Sequence, residues 1–156
     1  GLNPALQADI LDVPQTLFVT REIVSKSPVR KRIRLLEGNY LTSDFDMGYD
    51  LILMSHITHD EGESENRLLF NKAYQALNPG GLLLVHDFLI GENKTGPLFP
   101  AIFSINMLVY TKKGQTYSWK EYKNWMTDAG FSRFKRFNIL PHLDNRSSVL
   151  LGEKRP

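Results

Sequence analysis

The stretch Tyr49–Asp60, YDLILMSHITHD, decides the fold. Leu51-Ile52-Leu53-Met54 is a short apolar run between polar flanks, which reads as a strand buried on both faces. Its carboxyl end delivers Ser55, His56 and His59-Asp60. In an open parallel α/β sheet, ligands bind just beyond the carboxyl ends of the strands, so a histidine there stands where chemistry can be done.

Outward from this strand the signals alternate. Asp60 and Glu63 have the spacing of a capping box, opening a helix whose inner face is Leu69, Phe70, Ala73, Tyr74 and Leu77. Asn78-Pro79-Gly80-Gly81 reads as the turn that stops it. Leu82 to His86, LLLVH, is a second buried strand ending at Asp87, so the segment makes a βαβ unit with a right-handed crossover. Upstream, Ala8–Asp12 reads as a strand, Pro14 starts a helix to about Ser25, Pro28 breaks the chain, and Arg32–Glu37 alternates as a strand ended by Gly38-Asn39. Downstream, Leu98–Tyr110 is an apolar helix. Ser118 with Glu121 is another capping box, and Trp119, Tyr122, Trp125-Met126 and Ala129 form one apolar face stopped by Gly130. Arg133–Leu140 and Ser147–Glu153 read as an antiparallel pair joined through Pro141 and Asp144-Asn145.

Composition bounds the function. The chain has 156 residues, enough for one domain with a hydrophobic core. A formal charge of +2 gives no argument for nucleic acid or a membrane surface, and the basic run Lys26–Arg34 lacks the interleaved aromatics of a nucleic-acid site. No cysteine is present, which excludes disulfides and thiolate metal sites and fits a cytoplasmic protein. No apolar run approaches the roughly 20 residues of a bilayer span. Four histidines, with His142 far from any partner at ligand spacing, are too sparse for a zinc motif, so no metal is expected.

In one order the chain carries Asp12-Val13-Pro14, Glu37-Gly38-Asn39, the strand ending in His59-Asp60, Ala76-Leu77-Asn78-Pro79-Gly80-Gly81 and Val85-His86-Asp87. Asn106-Met107-Leu108, Gly114 and Ala129-Gly130-Phe131 follow. This ordered set resembles the catalytic domain of the S-adenosylmethionine-dependent O-methyltransferases that include plant caffeate and flavonoid enzymes, hydroxyindole methyltransferase and bacterial antibiotic-tailoring relatives. The resemblance covers nearly all of residues 1–156 and implies a Rossmann-like class I methyltransferase α/β sheet, mostly parallel, with a reversed C-terminal hairpin. It implies a small, hydroxylated, aromatic acceptor, and a homodimer built by an N-terminal helical domain. The family's first strand, with its glycine-rich loop, should precede Asn3. The expectation is therefore an N-terminally truncated chain, or a sheet completed by a strand from another chain.

The resemblance also assigns roles. Asp12, beside Val13, matches the acid that binds the cofactor ribose; helix capping is the plainer alternative. Asn39 and Tyr40 match the adenine side of the site, and Ser55 a position that touches cofactor. His59 matches the general base, and a near-neutral pKa suits that task. Asp60 reads as a helix cap. Asp87 matches the acid that orients the base by accepting its Nδ1–H. Thr116 occupies the position of a second flanking acid and cannot supply its charge. Phe103, Asn106 and Met107 match the helix lining the acceptor pocket. Two other functions stay open: a non-catalytic fragment or accessory chain of the same fold, and an enzyme of this fold with altered chemistry, such as a hydroxylase or decarboxylase.

Overall fold

Strands and helices are set along the chain by apolar runs punctuated by Pro, Gly and capping residues. In the computed structural model, which describes residues 3–139 and 147–156, they fall into two compact units, 1–44 and 45–156. In the first unit, β1 (Ala8–Asp12) leads into α1 (Pro14–Ser25), which starts with its proline in the first turn. The chain returns through a single 3-10 turn to β2 (Ile33–Glu37), which pairs with β1 in parallel, Asp12 opposite Glu37. This is a two-stranded sheet.

The second unit holds a four-stranded sheet in the order β3-β4-β6-β5. Its strands are β3 (Tyr49–Ser55), β4 (Leu77–Phe88), β5 (Phe131–Asn138) and β6 (Ser147–Lys154). β3 and β4 run parallel, joined by α2 (Glu63–Ala76), while β6 is antiparallel to both β4 and β5. The reversed final hairpin expected from the sequence is present; its connection through Pro141 and Asp144-Asn145 lies outside the described residues. Between β4 and β5 the chain forms α3 (Leu98–Tyr110) and α4 (Trp119–Asp128). No helix among the described residues is long and apolar enough to cross a membrane.

The core of this unit joins the sheet to α2 and α4. Leu69, Phe70 and Ala73 of α2, Tyr122, Trp125 and Met126 of α4, and Leu83, Val85 and Leu150 of the sheet are all buried. Each large apolar side chain so buried contributes roughly 1.5–3 kcal/mol. By contrast α3 exposes Leu98, Ile102, Ile105, Leu108 and Val109 and buries only Pro100.

Three expectations are corrected. β3 is not buried on both faces: it is the edge of its sheet, and Leu51 and Leu53 are 48% and 55% exposed. The Asp60–Glu63 capping box does not form. Helix α2 starts at Glu63 after Gly62, with no side-chain cap, because Thr58–Asp60 is wound into its own 3-10 turn. The segment after Ala76 is not a free turn. Leu77 enters β4 at once, opposite Tyr49, and the next paired position is Leu82 opposite Leu51, so Asn78–Gly81 bulge out of the strand. Gly80 takes φ +77 in this bulge, the left-handed value that glycine adopts without strain.

The second capping box does form. Glu121 N–H donates to Ser118 Oγ, and Ser118 N–H donates to Glu121 Oε2. Ser118 Oγ also donates to Glu92 Oε2. Replacing Ser118 by Ala is expected to destabilise the fold by about 1–2 kcal/mol, the ordinary cost of losing such a cap. Urea unfolding should show the midpoint falling with the slope unchanged.

Candidate functional site

A carboxylate with no exposed surface needs a donor for each lone pair it cannot show to water. Asp87, near the end of β4, is fully buried and has them. Its Oδ1 accepts from the Phe88 N–H at 2.8 Å and from His59 Nδ1 at 2.6 Å. Its Oδ2 accepts from Thr58 Oγ1 at 2.6 Å and from the His59 N–H at 3.1 Å. The Tyr122 hydroxyl, 2.7 Å from Thr58 Oγ1 and 3.3 Å from Oδ2, completes the shell. These bonds wind Thr58–Asp60 into a turn at the tip of β3. Asn66 of α2, itself buried, holds the turn from behind by donating to the Thr58 and Glu61 carbonyls at 2.9 and 3.2 Å.

The His59 ring follows from this. Asp87 only accepts, so Nδ1 carries the proton and Nε2 presents its lone pair. Burial works to lower the pKa of His59, but the Asp87 hydrogen bond and the charges of Asp87 and Asp60 outweigh it, so the imidazole titrates above its ordinary value of 6.5. Asp60, expected as a helix cap, instead lies with Oδ1 3.7 Å from Nε2. Phe103 of α3 meets His59 edge-on at 4.8 Å, and Phe88 and Phe99 lie 4.9 Å apart beside it. Aromatic rings thus cluster on one side of His59. Behind it, the loop from Thr111 approaches so closely that a Cβ on Gly114 would collide with the His59 carbonyl oxygen.

The other residues singled out in the sequence sit as follows. Thr116 is buried, and its hydroxyl donates to the Pro100 carbonyl at 3.1 Å, tying the loop to the start of α3. Ser55 Oγ shares a hydrogen bond with His86 Nδ1 at 2.9 Å. Asn106 is exposed on α3, and Met107, half-buried, accepts from Thr111 through its carbonyl. In the first unit, Asp12 does not cap α1: the N-cap is Val13, and Asp12 Oδ1 accepts from the Val13 N–H at 2.8 Å. Asn39 Oδ1 accepts from the Leu41 N–H at 2.8 Å, closing a turn around Tyr40. Thr58, Asn66 and Tyr122 were missed by the sequence reading. Tyr122 reads as core on its helical face, and no spacing signal links it or Thr58 to Asp87.

The family follows from comparison with known proteins: residues 2–132 match the O-methyltransferase domain. The chain belongs to that family. A 3-hydroxy-5-methyl-1-naphthoate 3-O-methyltransferase of Streptomyces sahachiroi is 32% identical over 133 residues, covering 85% of this chain and 38% of that protein. A Nostoc punctiforme crystal structure superposes with a TM-score of 0.89 at 28% identity, over 97% of this chain and 46% of the other. PigF in complex with SAH (S-adenosylhomocysteine) gives a TM-score of 0.83 at 30% identity, over 97% of this chain and 44% of that one. The chain thus spans less than half the length of each of these proteins, and its fold is theirs.

The ring environments set a direct expectation. His59 should titrate above 6.5 and His56 below it, because burial and the neighbouring His86 disfavour a charged His56. The fold therefore prefers the charged form of His59. That preference stabilises the protein below pH 6.5, and the contribution is lost as pH rises through the folded value. Ring-carbon NMR shifts followed from pH 5 to 9 check the order of the two titrations; His59 titrating below His56 would contradict it.

Proposed function

We infer that the chain is the catalytic domain, over residues 1–156, of an S-adenosylmethionine-dependent O-methyltransferase. Its acceptor is a hydroxyl on a small aromatic molecule. The observation that carries this reading is the His59–Asp87 pair: one imidazole nitrogen fixed on a buried carboxylate, in a ring packed against Phe103, with Phe88 and Phe99 beside it. The name of the naphthoate relative, which methylates a ring hydroxyl, agrees with aromatic walls of this kind.

S-adenosylmethionine, when bound, supplies a methyl group already activated on a sulfonium. The chain's own task is then to position the acceptor and to remove its proton. His59 Nε2 accepts the hydroxyl proton as the acceptor oxygen becomes nucleophilic, and Asp87 holds the tautomer that makes this possible and stabilises the imidazolium formed. The aromatic rings exclude water and orient a flat acceptor, so that alignment supplies much of the rate. Thr116, tied to Pro100, supports α3 and carries no charge to the base.

The cofactor fits the residues of the first unit in one respect. Asp12 ends a parallel strand, its Oδ1 is taken by Val13, and its Oδ2 has no partner among the described residues. A carboxylate oxygen at that place suits a ribose hydroxyl. Tyr40 and Asn39 follow β2 and would flank the adenine, with Asn39 offering its second lone pair. Val13, and Ser55 at the end of β3, are further residues assigned to cofactor contact by the family resemblance. Phe103, Asn106 and Met107 of α3 would face the acceptor. Assembly as a homodimer and a cytoplasmic location complete the proposal.

The test is His59→Gln. Turnover of a phenolic acceptor should fall about 100-fold or more, the usual share of a general base, while S-adenosylmethionine affinity stays within about twofold. In the unaltered protein, turnover should decline as pH falls through a value above 6.5, since only neutral His59 accepts a proton. Equal loss of cofactor affinity and turnover in the variant would refute the assignment.

A further inference from the structure

Proton transfer leaves one juxtaposition at this site unused. His56 follows β3 with φ +54, a left-handed conformation that residues with a Cβ rarely adopt. Its ring lies 4.3 Å from that of His86, 4.8 Å from Phe88 and 5.8 Å from His59. Its Nδ1 lies 4.0 Å from Asp87 Oδ1, the oxygen that His59 Nδ1 also approaches. One ligand atom from each of His56, His59 and Asp87 lies within 4.8 Å of the other two.

We propose that His56, His59 and Asp87 form a binding site for a divalent transition cation, Zn2+ above all, whose occupancy takes the His59–Asp87 pair out of proton transfer. Two imidazoles and a carboxylate are a donor set that suits zinc, cobalt and nickel, and three protein ligands leave a fourth position for water. Around a tetrahedral zinc, with bonds of about 2.0–2.1 Å, neighbouring ligand atoms stand about 3.3 Å apart. The present separations of 2.6 and 4.0 Å bracket that value, so shifts of under about 1 Å at each ring bring all three atoms to the ion. The ion would stand where the Nδ1 proton now stands; the ring gives up that proton and carries one on Nε2 instead, binding as the neutral Nε2–H tautomer, so that Nε2 has no lone pair left to accept a proton. Asp87 stays fixed meanwhile, because Oδ2 keeps its bonds from Thr58 and the His59 N–H. His86 is not available: its two ring nitrogens are engaged by Ser55 and Ser147. The site differs from a sequence motif in taking its ligands from the segment after β3 and from β4, which spacing along the chain does not reveal.

Binding stands apart from the proposed activity; the loss of turnover rests on it. The test is calorimetric titration of the chain with Zn2+, repeated for His56→Asn and for His142→Ala, whose histidine lies outside the described residues. Asparagine removes the imidazole and tolerates the left-handed backbone. Even an outer partner of a metal ligand is worth roughly 10–100-fold in affinity, so loss of His56 should weaken one-to-one binding at least that much. His142→Ala should bind as the unaltered chain does. Ring nitrogen shifts of His56 and His59 in the unaltered chain should move together on adding Zn2+, which needs no variant to fold. Absence of saturable binding, unmoved ring signals, or binding kept in His56→Asn and lost in His142→Ala would each overturn the site. Where the enzyme turns over, full activity at saturating Zn2+ would overturn the inhibitory half alone. Absence of turnover with binding intact would fall on the proposed activity instead.

Discussion

The buried carboxylate of Asp87 is the interaction on which the functional end of the molecule depends. An uncompensated charge at that depth would cost several kcal/mol. The structure answers with donors from β4 itself, from the turn at the tip of β3, and from α4. The same bonds that make the charge tolerable therefore lock β3, β4 and α4 into one arrangement. They also leave His59 no freedom of tautomer. Stability and chemistry share one group here, so any replacement of Asp87 disturbs the turn as well as the histidine.

Around this centre the structure separates what is rigid from what is open. Behind Asp87, Phe70, Tyr117, Tyr122 and Trp125 pack at edge-on and tilted angles and are buried. In front, Phe88, Phe99 and Phe103 form a looser aromatic group on β4 and α3, and α3 exposes most of its apolar side chains. A preorganised histidine–carboxylate pair beside aromatic rings is an arrangement suited to removing a phenolic proton. In the proposed function the pair would serve as the fixed acceptor for the proton and the rings as a surface for flat acceptors.

Much of this was legible in the sequence. The two apolar runs ending in His59 and Asp87 place both residues at the carboxyl ends of adjacent parallel strands, and Ser118 with Glu121 marks the start of α4. What was not legible was anything decided by packing between distant segments. The exposure of Leu51 and Leu53 depends on β3 being a sheet edge, which its apolar composition conceals. Asp60 and Glu63 have capping spacing, but Asp87 draws Thr58 and His59 into a tighter turn and the cap is lost. Asn78–Gly81 look like a loop because each residue favours one, yet the strand pairs on both sides of them. Tyr122 and Thr58 reach Asp87 through the fold, and nothing local in their sequence neighbourhoods points there.

The account rests on this chain binding the cofactor of its family with the residues it has. Calorimetric titration of the chain with S-adenosylhomocysteine, beside a far-ultraviolet circular-dichroism spectrum, tests that most directly. Saturable one-to-one binding in the micromolar range, weakened by Asp12→Ala, is the predicted result. A folded spectrum with no saturable binding would contradict it, and with it the reading of His59 and Asp87 as the proton-transfer pair of a methyltransferase.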